Sequence, residues 1–310
     1  MKRLLVFVIV GMVATVLAAY FVLPESKNVT AFVSTNTSIN RVLPLLTQTD
    51  GWQKWWPQDA RSNDTSFIYN GNRYYLQQVS GNIVQTDVLQ NEKTCAGSIL
   101  LAPSAVDTTM IEWRVQTVYG TNPITKLKSY FSKDELQHDL QTLLDKFRSY
   151  AGKQENIYGM TIQRAKVVDT LLVAMRSTLN HYPTTGDVYS LVEKLRTYIK
   201  SQNAKETNPP MLNMQHYDTS TYEIMVGIPI DRELPANGPI QQKRLVSGNI
   251  MWGEVRGGSK SVDNALQQLE NYKFDYRLGS PAIPFASLIT DRSKEPDTTK
   301  WITRVYYPIY

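Results

Sequence analysis

The chain has 310 residues, 42% of them hydrophobic, with 33 Lys and Arg against 28 Asp and Glu. That hydrophobic share supports a sizeable core, and a formal charge of +5 is too mild for a nucleic-acid interface, so no nucleic acid is expected as a partner. One cysteine excludes an internal disulfide framework or a cysteine-rich metal cluster, and three histidines leave little for a histidine-based zinc site.

The first element in chain order is an uncharged run of 20 residues, Leu4 to Leu23. A run of this length reads as a transmembrane helix, because backbone groups in lipid must bond within their own segment. Lys2 and Arg3 precede it, so the positive-inside rule leaves the N-terminus cytoplasmic and the body periplasmic or extracellular. The alternative is a cleaved signal segment and a secreted protein. The expected division is an anchor over 1–25, one domain over 28–151 and a second over 157–310.

Residues 28–131 read mostly as strands. VTAFVST alternates, a short helix is expected from Asn40 to Thr47, and the aromatic cluster Trp52, Trp55, Trp56 follows as a packed lid. SFIYN, RYYLQQV, IVQTDVLQ, GSILLAP and TMIEWRVQTVY are the next strand candidates, and Asn70-Gly71 between the first two signals a hairpin. A helix is expected from about Lys133 to Tyr150, with Leu136, Leu140, Leu143, Leu144 and Phe147 on one face, capped by Ser132 and Glu135. A meander wrapped on one helix can leave a cavity between them. The stretches VTAFVSTNTSINRVLPLLTQTDGWQKWWP, MIEWRV and DELQHDLQTLLDKF resemble the polyketide cyclase and START-like (SRPBCC) superfamily. That resemblance implies a helix-grip fold that holds hydrophobic small molecules or lipids.

The second half is internally repeated. Val188, Val192, Leu195 and Tyr198 match Val262, Leu266, Leu269 and Tyr272, and YEIMVGIPI (222–230) matches WITRVYYPI (301–309). The unit is a strand, a helix and then one or two strands, used twice, with both helices on one side of a shared sheet and the other face free for a ligand. The overall expectation is thus an α+β protein: an N-terminal transmembrane helix, a helix-grip domain, then a duplicated β-α-β-β domain. TRVYYPI, YEIMVGIPID and IMWGEVRGG…SVDNALQQL resemble the GyrI-like family, the effector-binding domain of bacterial transcription activators. The resemblance implies binding of drug-like, often cationic molecules in an aromatic pocket with an acidic residue; a few relatives hydrolyse strained rings. Many relatives carry Glu where Arg304 stands here, and an arginine repels cations and attracts carboxylate or phosphate.

Alternation along the strands gathers six ligand-binding candidates on the free face: Trp252, Glu254, Glu223, Met225, Arg304 and Tyr306. The duplication places Met225 opposite Arg304. The aromatics supply contact area and the charges fix orientation. No catalytic residue, metal site or cofactor is expected, since no nucleotide, zinc-hydrolase or nucleophile-elbow motif occurs. Gly257-Gly258 precedes a helix start and could accept an anion, Ser261 is expected to cap that helix, and His181, His216 and Asp218 are not expected to act together. The expected function is membrane-anchored binding of a small amphipathic molecule outside the cytoplasm, by sensing, sequestering or carrying it. One rival is a hydrolase using Glu254 or Glu223 as general base; another is an envelope protein that binds no ligand.

Overall fold

The computed structural model describes Val10, Gly11, Ala14 and Phe21, then residues 24–57, 61–62, 66–119, 126, 135–167, 171–216, 218 and 220–310. They form two compact units that divide between Lys153 and Gln154, each with its own antiparallel sheet, so the chain is α+β. Among the described residues no helix is long and apolar enough to cross a membrane. A span needs about 20 consecutive apolar residues in one unbroken helix. Of the run Leu4 to Leu23 only Val10, Gly11, Ala14 and Phe21 are described, and the remainder lies outside the described residues. The single-pass reading, with its cytoplasmic N-terminus and exported body, is withdrawn on this finding, and the membrane as a partner with it.

In the first unit, β1 (Ser26–Thr35) is followed by α1 (Ile39–Thr47) and α2 (Thr49–Trp55). Then come β2 (Arg61–Ser62), β3 (Ser66–Tyr69), β4 (Asn72–Ser80), β5 (Ile83–Gln90), β6 (Lys93–Ala105), β7 (Thr108–Val118) and α3 (Glu135–Ala151). The sheet order is β1-β7-β6-β5-β4-β3-β2. β1 forms because Val29, Ala31 and Val33 alternate into the core. α3 buries Leu136, Leu140, Leu143, Leu144 and Phe147 as its spacing demands, while the expected Ser132 cap lies outside the described residues. The β3–β4 hairpin turns through Asn70 and Gly71 at φ 48° and 81°, a left-handed pair that suits these two residues. Asp139 of α3 ties that hairpin down, accepting from Asn70 Nδ2 at 2.7 Å and Asn72 Nδ2 at 3.1 Å.

Aromatic rings fill the interior of this unit. Trp52 stacks on Trp56 at 5.1 Å and meets Trp113 edge-on at 5.5 Å, and Trp55 meets Phe147 edge-on at 5.2 Å. Each indole N–H of the Trp52, Trp55, Trp56 group donates to a backbone carbonyl, those of Leu46, Leu45 and Ile68 respectively. The expected lid is therefore core, and a cleft remains where α3 meets the β3–β4 hairpin, lined by Asn70, Asn72, Glu135, His138 and Asp139.

The second unit runs α4 (Gln154–Tyr158), β8 (Gln163–Lys166), β9 (Leu171–Leu179), α5 (Thr185–Ser201), β10 (Met211–His216) and β11 (Tyr222–Pro229). It continues with β12 (Gln241–Arg244), β13 (Asn249–Arg256), α6 (Ser259–Asp275), β14 (Phe285–Leu288) and β15 (Ile302–Ile309). The doubled β-α-β-β unit is present: β9-α5-β10-β11 and β13-α6-β14-β15. The sheet order β12-β9-β11-β10-β14-β15-β13-β8 places the two copies back to back at the β10–β14 pair. The outermost strands are exchanged: β8, which leads into the first copy, pairs with β13, and β12, which leads into the second, pairs with β9.

Both helices lie on one side of this sheet. α5 packs with Val173, Met175, Ile224, Val226 and Ile228, and α6 with Met251, Val305, Tyr307 and Ile309. Leu212 and Ala286 are register partners on β10 and β14 that join the α5 and α6 cores, so the two helices share a face. α5 starts with a full capping box between Thr184 and Asp187. α6 differs from expectation: its N-cap is Gly258, which has no side chain to cap with, and Ser261 sits inside the helix.

Candidate functional site

The face opposite the helices is open, and strand register fixes what it displays. Arg176 and Asn213 flank Met225, Met211 and Ala174 flank Gly227, and Phe285 and Trp252 flank Tyr306. Arg304 stands between Ser287 and Glu254. All six residues singled out from the sequence lie on this face. Met225 and Arg304 hold equivalent places in the two copies but have different neighbours.

A cavity of 160 Å³ opens on this face. Leu172, Met211, Met225, Ile250, Phe285 and Pro308 supply apolar wall, Gly227 leaves the floor bare, and the segments 243–246 and 282–283 border it. Its polar side chains are Asn213, Lys243 and Arg244, and no carboxylate lines it. Asn213 is buried and donates from Nδ2 to the Pro284 carbonyl at 2.8 Å. Arg244 is paired with Glu233, whereas Lys243 has no ion pair among the described residues.

The duplication explains the cavity's position. Gly227 faces Ala174 across β11 and β9, as Tyr306 faces Trp252 across β15 and β13. The first copy thus has two of the smallest residues where the second has two large rings, and the room left over is the cavity.

Of the six sequence candidates only Met225 lines it. Tyr306 stacks on Phe285 at 5.0 Å, and Trp252 lies 6.3 Å from Tyr306, so these two rings extend sideways from the cavity wall. The Arg304 guanidinium sits 5.2 Å over Trp252, and its Nε donates to Glu254 Oε2 at 3.0 Å, which raises the guanidinium above its ordinary value. Glu223 accepts from Arg176 at 3.2 Å. Both carboxylates proposed as a general base are therefore held by arginines outside the cavity, and the Glu254 side chain is 40% exposed. Neither is placed to act on a molecule inside it. His181 faces Asp187, His216 stacks on Tyr222 and Asp218 accepts from the Ser220 and Thr221 N–H groups, so these three do not converge. No metal-binding cluster occurs among the described residues.

No family model and no curated protein matches the chain. Among solved structures it is similar to the EcmrR C-terminal domain, at 14% identity over 49% of this chain and 98% of that one, TM-score 0.40. It is also similar to a hydrolase from Listeria innocua, at 11% identity over 54% and 98%, TM-score 0.39. A third is SAV2435 bound to tetraphenylphosphonium, at 14% identity over 49% and 94%, TM-score 0.32. These are distant likenesses, and none bears on what this chain binds.

Proposed function

We propose that the second unit, a GyrI-like domain over 157–310, binds a small neutral or anionic amphipathic molecule in the open-face cavity. The observation that carries this is the lining: an apolar enclosure whose polar groups are Asn213, Lys243 and Arg244, without a carboxylate. An apolar cavity of about 150 Å³ accommodates benzene, so the guest, or the part of it that enters, is of single-ring size. The Asn213 amide and the Lys243 ammonium orient its polar end. The family preference for cations is not transferred, because the acids on this face are already neutralised by Arg176 and Arg304. We read residues 28–151 as a START-like domain by topology, with indole rings packed in its core.

The test is thermal unfolding of the full chain with phenol, benzoate and benzylamine. Phenol and benzoate should raise the melting temperature saturably, as ligands specific for the folded state do, and benzylammonium should not. Lys243→Met should weaken benzoate more than phenol. A preference for benzylammonium, or no saturable response to any of the three, would overturn the reading.

A further inference from the structure

A second cavity lies on the helix side of the same sheet, between the N-terminal turns of α5 and α6, with a volume of 60 Å³. Leu212, Met214 and Leu266 belong to its apolar floor, and Tyr182, Ser259, Asp263 and Arg292 to its polar rim, with Asp263 on the α6 side. Arg292 is the unusual member. Its Nη2 donates to Thr303 Oγ1 at 2.8 Å, and its guanidinium lies 4.7 Å over the Trp301 ring. Its Nε is buried without a hydrogen-bond partner, and no carboxylate pairs with it among the described residues. None of the nearby acids pairs with it, although Asp263 lines the same cavity. Asp263 accepts from Tyr182 Oη at 3.0 Å, Asp187 belongs to the α5 cap, and Asp291 faces Arg196 and Lys294. Burial pushes the guanidinium below its ordinary value.

Arg292 is half-buried, its Nε is sealed from solvent without a partner and no carboxylate pairs with it, a costly arrangement that an anion arriving from outside would relieve. We propose that this cavity binds a small amphipathic carboxylate: the carboxylate meets Arg292, and a short apolar chain lies over Leu212, Met214 and Leu266. On the scale at which about 150 Å³ holds benzene, the 60 Å³ cavity encloses only part of such a guest, and the rest of it lies in the open mouth. A guanidinium matches a carboxylate in shape as well as in charge. This site is separate from the open-face cavity and does not rest on the function proposed for that one.

The probes are butanoate, butylamine, butanol and inorganic phosphate, titrated calorimetrically into the full chain. Butanoate should bind saturably, with butylammonium and butanol at least about tenfold weaker, since a hydrogen bond to a charged group is worth that factor or more. Arg292→Met should abolish butanoate binding yet leave the melting temperature of the free protein within about 4 °C of wild type, because it removes an uncompensated charge. Leu266→Trp, which keeps the arginine but fills the cavity, should abolish binding as well, and it decides the matter if Arg292→Met does not fold. Butanoate binding that survives Leu266→Trp, or no saturable heat in the wild type, would overturn the proposal. Phosphate binding as tight as butanoate would overturn its amphipathic part.

Discussion

Replacing Gly227 by phenylalanine should close the open-face cavity and leave the sheet standing. The equivalent place in the second copy already carries the ring of Tyr306, so the backbone geometry accepts an aromatic there. Benzene fills a cavity of about 150 Å³, so a phenyl ring takes up most of the 160 Å³ available. Burying a phenylalanine side chain stabilises by about 1.5–3 kcal/mol, and removing a glycine from a strand interior adds about 0.5–1 kcal/mol. Against this, a Cβ at 227 would stand 2.5 Å from Leu172 Cδ1. Moving that side chain aside costs about 1–3 kcal/mol. The opposing contributions largely offset, leaving a net change between about 1 kcal/mol destabilising and about 3 kcal/mol stabilising, a shift of no more than about 6–12 °C for a unit of this size. Differential scanning calorimetry with and without phenol reads both quantities. The phenol-induced shift should vanish while the cooperative transition of the second unit persists. A variant that folds and responds to phenol as the wild type does would show that the cavity is not the site. One that loses the transition would show that the ring has no room.

Three further outcomes are expected. A double-mutant cycle with Arg304→Met and Glu254→Leu should give a coupling of about 0.2–1 kcal/mol, reduced by added salt, because both side chains are some two-fifths exposed; urea unfolding measures it. Trp52→Ala, which empties a fully buried position among four aromatic neighbours, should cost the first unit about 3–5 kcal/mol, followed by tryptophan fluorescence during denaturation. Hydrogen bonds from the Thr184 side chain and N–H, then from His181, hold the Asp187 carboxyl down at about 2. Its contribution to stability is therefore complete above the ordinary aspartate value of about 3.9 and is lost as pH falls toward 2; Asp187→Asn should flatten the acid limb of the melting-temperature profile in that window.

Much of this architecture is visible in the residues themselves. α5 and α6 each bury a helical stripe, β1 alternates, and β15 alternates from Ile302 to Tyr307 before both it and β11 end in a buried run, so periodicity reveals both the elements and the repeat. The free face and the six residues on it follow from the same alternation. The location of the cavity does not, because it depends on a side chain that is missing at one of two equivalent places, Gly227 rather than Tyr306. Asn213 and Phe285 escape notice for another reason: MLNMQH and FASL carry apolar residues on both faces, so alternation cannot say which residue looks outward. Lys243 sits in QQKR, a polar stretch with no pattern, and β8, QRAK, is equally mute, which hides the exchanged strands altogether. Arg292 reads from sequence as an ordinary loop arginine, since nothing but three-dimensional packing sets it against Trp301 and Thr303.

The exchange of β8 and β12 has a mechanical corollary. Each half of the duplication borrows its outermost ribbon from its twin, so neither is complete alone. A fragment ending after β11 would have a bare flank along β9 and a homeless β8, and two such fragments could satisfy each other only by trading arms. The covalent link between the halves turns that trade into an internal clasp, so the two should melt together as one block, and severing the chain between β11 and β12 should yield pieces that reassociate.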